Sequence, residues 1–151
     1  MPTAKRLELK PDEERRLRAL VHILDYFEGH APQIPASMIE AFLLVALNEG
    51  CSLRDIVEMS GKPQSTMSRH LLDLGERNRK MEPGLGLVAW RIAPEELRRK
   101  EYYLTPKGRG LLRRILSEKF IESGKLAEEG KLAQRSDEAE RVSPREEKAG
   151  A

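Results

Sequence analysis

Residues 62–74 read KPQSTMSRHLLDL, and the way this stretch folds decides the rest of the chain. Met67, Leu71 and Leu74 recur at i, i+4 and i+7, so on a helix they share one side and require a core. Gln64, Ser65, Ser68 and Arg69 fall on much of the other side. Pro63 suits a first helical turn, where a missing N–H costs nothing. Gly61 ends the preceding apolar segment and leaves a tight turn between the two. A small polar face with one Arg behind such a turn fits a DNA major groove. Gln and Ser adapt to base edges, and Arg grips guanine bidentately. An ordinary amphipathic helix with a solvated face would show the same spacing, so the flanking segments must discriminate.

Upstream, Ser52 is placed to cap a short helix from Leu53 to Met59, with Asp55 as its capping-box partner. Leu53, Ile56 and Val57 form its inward side. A short helix, a Gly-containing turn and a helix with a polar outer face make a helix-turn-helix. Further upstream, Ala36–Asn48 is apolar almost all round (Ile39, Phe42, Leu43, Leu44, Val45, Leu47), which predicts a central, buried helix. Before the break at Gly29–Pro35, Asp12–Glu28 carries a stripe of Leu17, Leu20, Val21, Leu24 and Phe27. Asp12, Glu13 and Glu14 complement the dipole at its start.

Downstream, the helix is expected to fray across Arg77–Lys80, and Pro83-Gly84-Leu85-Gly86 forms a turn. Leu87–Ile92 and Lys100–Leu104 have strand character and enclose the charged loop Ala93–Arg99. That is a two-stranded ribbon with a basic tip, able to lie on a DNA backbone or send an Arg into the minor groove. Trp90 within it reads as a packing residue rather than a base-stacking one. Thr105 as N-cap and Pro106 at N1 open a last helix with an apolar stripe of Leu111, Leu112, Ile115, Leu116 and Phe120.

Charge supports the same division. The 151-residue chain is 39% apolar and 34% charged with a net charge of only +2, but residues 12–61 carry −5, residues 62–114 carry +7, and residues 117–151 carry −2. A basic middle segment is the footprint expected of a polyanion partner. No run of about 18 apolar residues exists to form a membrane helix. MPTAKRLELKPDEE turns acidic where a signal peptide needs an apolar stretch. The single cysteine precludes an intramolecular disulfide and fits a reducing compartment, so the expected location is cytoplasmic, with no membrane partner. His22, His30 and His70 lack ligand spacing, so no metal site is expected. No Ser/His/Asp set or carboxylate pair stands out, and neither a cofactor nor a catalytic role is expected.

Together these segments resemble the multiple antibiotic resistance regulator (MarR) family of bacterial winged-helix transcription factors. The residues that carry the resemblance are EGCSLRDIVEMSGKPQSTMSRHLLDL at 49–74, GLV at 86–88, and EELRRKEYYLTPKGRGLL at 95–112. The family pattern near the wing is an acid, one residue, an Arg, then a strand running into Leu-Thr-x-x-Gly. Here that is Glu96, Arg98 and Leu104-Thr105-Pro106-Lys107-Gly108. The resemblance implies a mainly α fold with a small β-ribbon: a winged helix-turn-helix flanked by dimerisation helices. It implies a homodimer on a palindromic double-stranded DNA operator, acting as a transcriptional regulator and expected to be a repressor. In the family the wing acid orients the wing Arg, so Glu96 is expected to orient Arg98, with Arg99 and Lys100 as further wing cations.

The expected base contacts are Gln64, Ser65, Ser68 and Arg69, and the expected phosphate contacts are Lys62, Thr66, Arg77 and Lys80. Leu17, Leu20, Leu24, Leu112, Ile115, Leu116 and Phe120 are expected at the dimer interface. The expected organisation is a flexible arm (1–11), an N-terminal dimerisation helix (12–34), the winged domain (35–105), a C-terminal dimerisation helix (106–132) and a disordered tail (133–151). The family often binds small, commonly phenolic, effectors between its dimerisation and DNA-binding parts, and no residue here names one. Cys51 precedes a helix, where thiolates are favoured, but oxidant-sensing members place the reactive thiol in the first helix. The 75–85 stretch GERNRKMEPGL is longer than the family's usual step from reading helix to wing. A winged-helix module that binds protein, with little or no specific DNA contact, stands as the alternative.

Overall fold

A computed structural model describes residues 6–117, together with 119, 120 and 134. The expected continuation of the last helix to 132 and the tail from 133 otherwise lie outside the described residues, as do residues 1–5 of the arm. The elements in order are α1 (Pro11–His30), α2 (Ala36–Leu47), α3 (Leu53–Ser60), α4 (Gln64–Leu74), β1 (Val88–Ile92), β2 (Lys100–Leu104) and α5 (Pro106–Leu116). The mainly helical fold with a small ribbon is the one expected. The chain divides into two compact units, Ile23–Ser117 on one side and Met1–His22 with Glu118–Ala151 on the other.

In the 23–117 unit, the core is built from Phe27, Phe42, Val45, Ile56, Met67, Leu74 and Leu87, all under 2% exposed. Phe27 meets Phe42 edge-on, with ring centroids 5.7 Å apart. The central role of α2 follows from its composition: Met38, Ile39, Ala41, Phe42 and Val45 are buried. Leu47 departs from that expectation at 78% exposure, because the helix ends there at the Asn48 cap.

The two strands pair antiparallel, with Val88 opposite Leu104, Trp90 opposite Tyr102 and Ile92 opposite Lys100. The α2–α3 linker extends this ribbon, because Gly50 N–H donates to Tyr102 O and Tyr102 N–H to Cys51 O, both at 2.8 Å. Glu49 locks the same corner. Its carboxylate accepts from the Leu104 N–H at 3.1 Å and from the Arg109 guanidinium at 3.0 Å. Thr105 caps α5 as expected, accepting from Gly108 N–H at 3.0 Å while its hydroxyl donates to Gly86 O at 2.6 Å.

In the other unit, the His22 ring stacks on Phe120 at 4.1 Å between centroids. Arg16–Asp12 and Arg18–Glu14 pair along the helix surface.

The segment after α4 is a correction to the sequence reading. Residues 76–84 do not fray; they form a small hairpin. Arg77 bridges Pro83, Gly84 N–H donates to Glu76 O at 2.9 Å, and the Asn78 side chain accepts from the Lys80 and Glu82 N–H groups. Charge in the sequence disguised a turn whose backbone is satisfied by one asparagine, with Met81 at φ 60°.

Candidate nucleic-acid interface

The helix-turn-helix is specified locally. Ser52 and Asp55 form a complete capping box at the start of α3: the Ser52 hydroxyl accepts from Asp55 N–H, and the Asp55 carboxylate accepts from Ser52 N–H. The Ser52 N–H bond to it, helped by the Ser52 hydroxyl and Arg99, holds the Asp55 carboxyl below its usual range. Gly61 closes α3 in the left-handed conformation at φ 65°, where a side chain would be strained. Pro63 is the N-cap residue of α4 rather than its first helical residue, and no side chain caps that end. The free N–H groups and the positive dipole end of α4 are therefore open to an anion.

Met67, His70, Leu71 and Leu74 are buried beneath α4. Gln64, Ser65 and Arg69 are exposed, and Thr66 and Ser68 are half-buried, so the expected base-contact set lies together on the outer side. His70 is the buried polar group that fixes the helix to α2. Its Nε2 is 2.7 Å from the Ser37 hydroxyl, and its Nδ1 has no partner among the described residues. Burial pushes the His70 pKa down, more than Asp73 raises it.

The cations expected on phosphates are disposed unequally. Lys62 is tied to Glu40 by an ion pair, which DNA would have to displace. Arg77, Arg79 and Lys80 are exposed on the hairpin that follows α4. On the wing, the expected Glu96–Arg98 pair is not formed. Glu96 instead turns the chain, its carbonyl accepting from Arg99 N–H at 2.9 Å. Arg99 is held instead, its guanidinium 3.5 Å from the Asp55 carboxylate. Arg98 is exposed at the tip. Lys100 stands over the Trp90 ring at 4.1 Å, and Trp90 is 51% exposed rather than packed away. Sequence reasoning missed this pair because the strand pattern gives a face but not how far the core reaches along it.

Cys51 is buried, and its pKa is pushed up to about 11, first by burial and then by the nearby Asp55 carboxylate. The favourable helix-start position does not activate it. Among the expected dimer residues, Leu17, Leu20, Leu24 and Leu116 are exposed, whereas Ile115 and Phe120 are buried within the chain and Leu112 is half-buried. Ile115 and Phe120 are therefore core residues here, not surface ones. The described residues hold no cluster of three metal-ligating side chains, and no described helix is long and apolar enough to cross a membrane.

No family model matches the sequence, and no curated protein matches it. Solved structures match its fold. A mutant of the MepR protein of Staphylococcus aureus, bound to an oligodeoxyribonucleotide, superposes with a TM-score of 0.53 at 18% identity, covering 87% of this chain and 90% of that one. A second MepR mutant gives a TM-score of 0.54 at 16% identity, covering 89% and 93%. The chain has the winged-helix fold of these MepR structures. In that fold α3 and α4 are the helix-turn-helix, α4 carries the outward polar face, and the β1–β2 ribbon is the wing. The 76–84 hairpin lies between α4 and the wing.

Proposed function

We propose that this chain is a dimeric, sequence-specific double-stranded DNA-binding transcriptional regulator, a repressor, with α4 in the major groove and the wing at the minor groove. The observation that carries this reading is the outer side of α4. Gln64, Ser65, Ser68 and Arg69 stand there together on a helix whose N-terminus no side chain caps. The fold is shared with MepR, which has been solved bound to an oligodeoxyribonucleotide. Gln64, Ser65, Ser68 and Arg69 read bases. Thr66, Arg77 and Lys80 contact phosphates, and Lys62 joins them by releasing Glu40. Arg98 is the minor-groove cation, free of Glu96.

Leu17 and Leu20 of the Met1–His22 segment, and Leu24 and Leu116 of the 23–117 unit, each offer apolar surface to a second copy. Each is an apolar side chain at least 47% exposed in the single chain, and a second copy would remove them from water. The operator is accordingly palindromic. The chain acts by occupying DNA, not by catalysis, and works in the cytoplasm.

A salt titration of binding to random-sequence duplex DNA, with light scattering in parallel, tests the proposal. A dimer whose log affinity falls linearly and steeply with log salt supports it, because phosphate contacts release counterions. A monomer, or binding indifferent to salt, refutes it and favours a protein partner.

A further inference from the structure

A cleft of about 560 Å³ runs between the C-terminal half of α4, the first residues of the hairpin and one face of the wing. Leu72 and Trp90 line it, 38% and 51% exposed, with Arg77 and Lys100 among its cations. Leu72 lies three residues beyond Arg69 on α4, so the cleft continues the exposed side that carries Ser65 and Arg69. Trp90, Ile92 and Lys100 share one face of the ribbon by register, since Trp90 pairs with Tyr102 and Ile92 with Lys100. The Lys100 ammonium is already held over the indole, 4.1 Å from its centroid. Two large apolar groups thus stand in water in a cleft that also carries two cations, with Glu76 the one carboxylate in the lining.

A polynucleotide strand has the matching chemistry: apolar sugar faces alternating with phosphates. We propose that this cleft seats one strand of the bound duplex, with Trp90 and Leu72 against deoxyribose faces and Lys100 and Arg77 on the flanking phosphates. Trp90 is a positioning residue that sets the distance between wing and reading helix on the DNA. Glu76 and Arg77, the first residues of the 76–84 hairpin, complete the lining on the side away from the wing. This inference rests on the DNA-binding reading and adds to it a contact made by neither the α4 tip nor the wing tip.

Trp90 is the chain's single tryptophan, so its emission reports on this cleft alone. The test follows Trp90 fluorescence, acrylamide quenching and the anisotropy of a labelled random-sequence duplex in the same titration. The expected result is a change in Trp90 emission and protection from acrylamide with the same midpoint as the anisotropy rise. Trp90→Ala should weaken binding about tenfold and Trp90→Phe about threefold at most, as expected for loss and partial retention of apolar area buried against a sugar face. Far-UV circular dichroism of both variants checks that the fold is kept.

Anisotropy that rises while Trp90 stays equally accessible, or Trp90→Ala at wild-type affinity, overturns the cleft assignment and leaves the DNA reading standing. Flat anisotropy refutes the DNA reading and the cleft with it. Quenching of Trp90 by benzoate but not by duplex would make the cleft a small-anion site and would also overturn the proposal.

Discussion

Gly108→Ala is expected to destabilise this protein strongly, while Gly110→Ala, two residues along the same helix, is expected to stabilise it. A Cβ built on Gly108 would lie 2.1 Å from Leu87 O and 3.0 Å from Leu87 C, whereas a Cβ on Gly110 meets nothing within 4 Å. Relieving the Gly108 clash to the 3.0 Å floor seen for real Cβ atoms requires a backbone shift of about 0.9 Å at Leu87 or α5. Leu87 has little freedom to give. Its N–H donates to Leu74 O at 2.8 Å, its carbonyl accepts from Thr105 N–H at 3.0 Å, and its side chain is 1% exposed. Losing the Thr105 hydrogen bond costs roughly 1 kcal/mol and overpacking a further 1–3, so the expected loss is about 2–4 kcal/mol. At Gly110, in the exposed interior of α5, Ala restricts the unfolded chain and should add up to about 1 kcal/mol. Urea denaturation followed by circular dichroism, at one fixed protein concentration so that any dimer linkage is constant, measures both. A Gly108→Ala variant within about 0.5 kcal/mol of the parent, or two variants that shift the same way, would refute the close-approach account.

Three further outcomes are expected. Arg69→Ala should cost roughly 1–3 kcal/mol of discrimination between operator and random duplex, whereas Lys80→Ala should weaken both about equally; competition binding separates them, and unchanged discrimination in Arg69→Ala would move the reading face elsewhere. His70 is held neutral by burial below its ordinary value of 6.5, so the unfolded chain takes up a proton before the folded one does. The contribution of His70 to stability is therefore present above pH 6.5 and lost as pH falls below it; denaturation midpoints from pH 8 to 5 should show that slope in the parent and a reduced one in His70→Gln. Cys51, with its pKa pushed up to about 11, should alkylate with iodoacetamide at pH 8 far more slowly than in urea, and equal rates would contradict its burial.

Most of the fold was legible because its signals are local. The capping box at Ser52 and Asp55, the αL Gly61 and the Thr105-Pro106 helix start each depend on residues within four of one another, and each forms where the spacing places it. The apolar period of α4 likewise selects its own buried side. The burial of Ile115 and Phe120, in contrast, depends on partners distant in sequence, which a stripe cannot name. The Glu96–Arg98 expectation failed because a turn at Glu96 places Arg99, not Arg98, within reach of Asp55, forty-four residues away. The Asn78 hairpin is local as well, its side chain accepting from the Lys80 and Glu82 N–H groups, but a run of charges conceals the turn.

What the sequence by itself determined is therefore the order of elements, the capped starts of α3 and α5 and the polar side of α4. Helix period, capping and turn chemistry act over a few residues and are written in adjacent letters. Tertiary structure alone decided which surfaces remain open: the cleft beside Trp90, the tether on Lys62, the inert Cys51 and the tight seat of Gly108 against Leu87. Each of those depends on how close two distant segments approach, a distance set by side-chain packing across the core and absent from any single stretch of the chain.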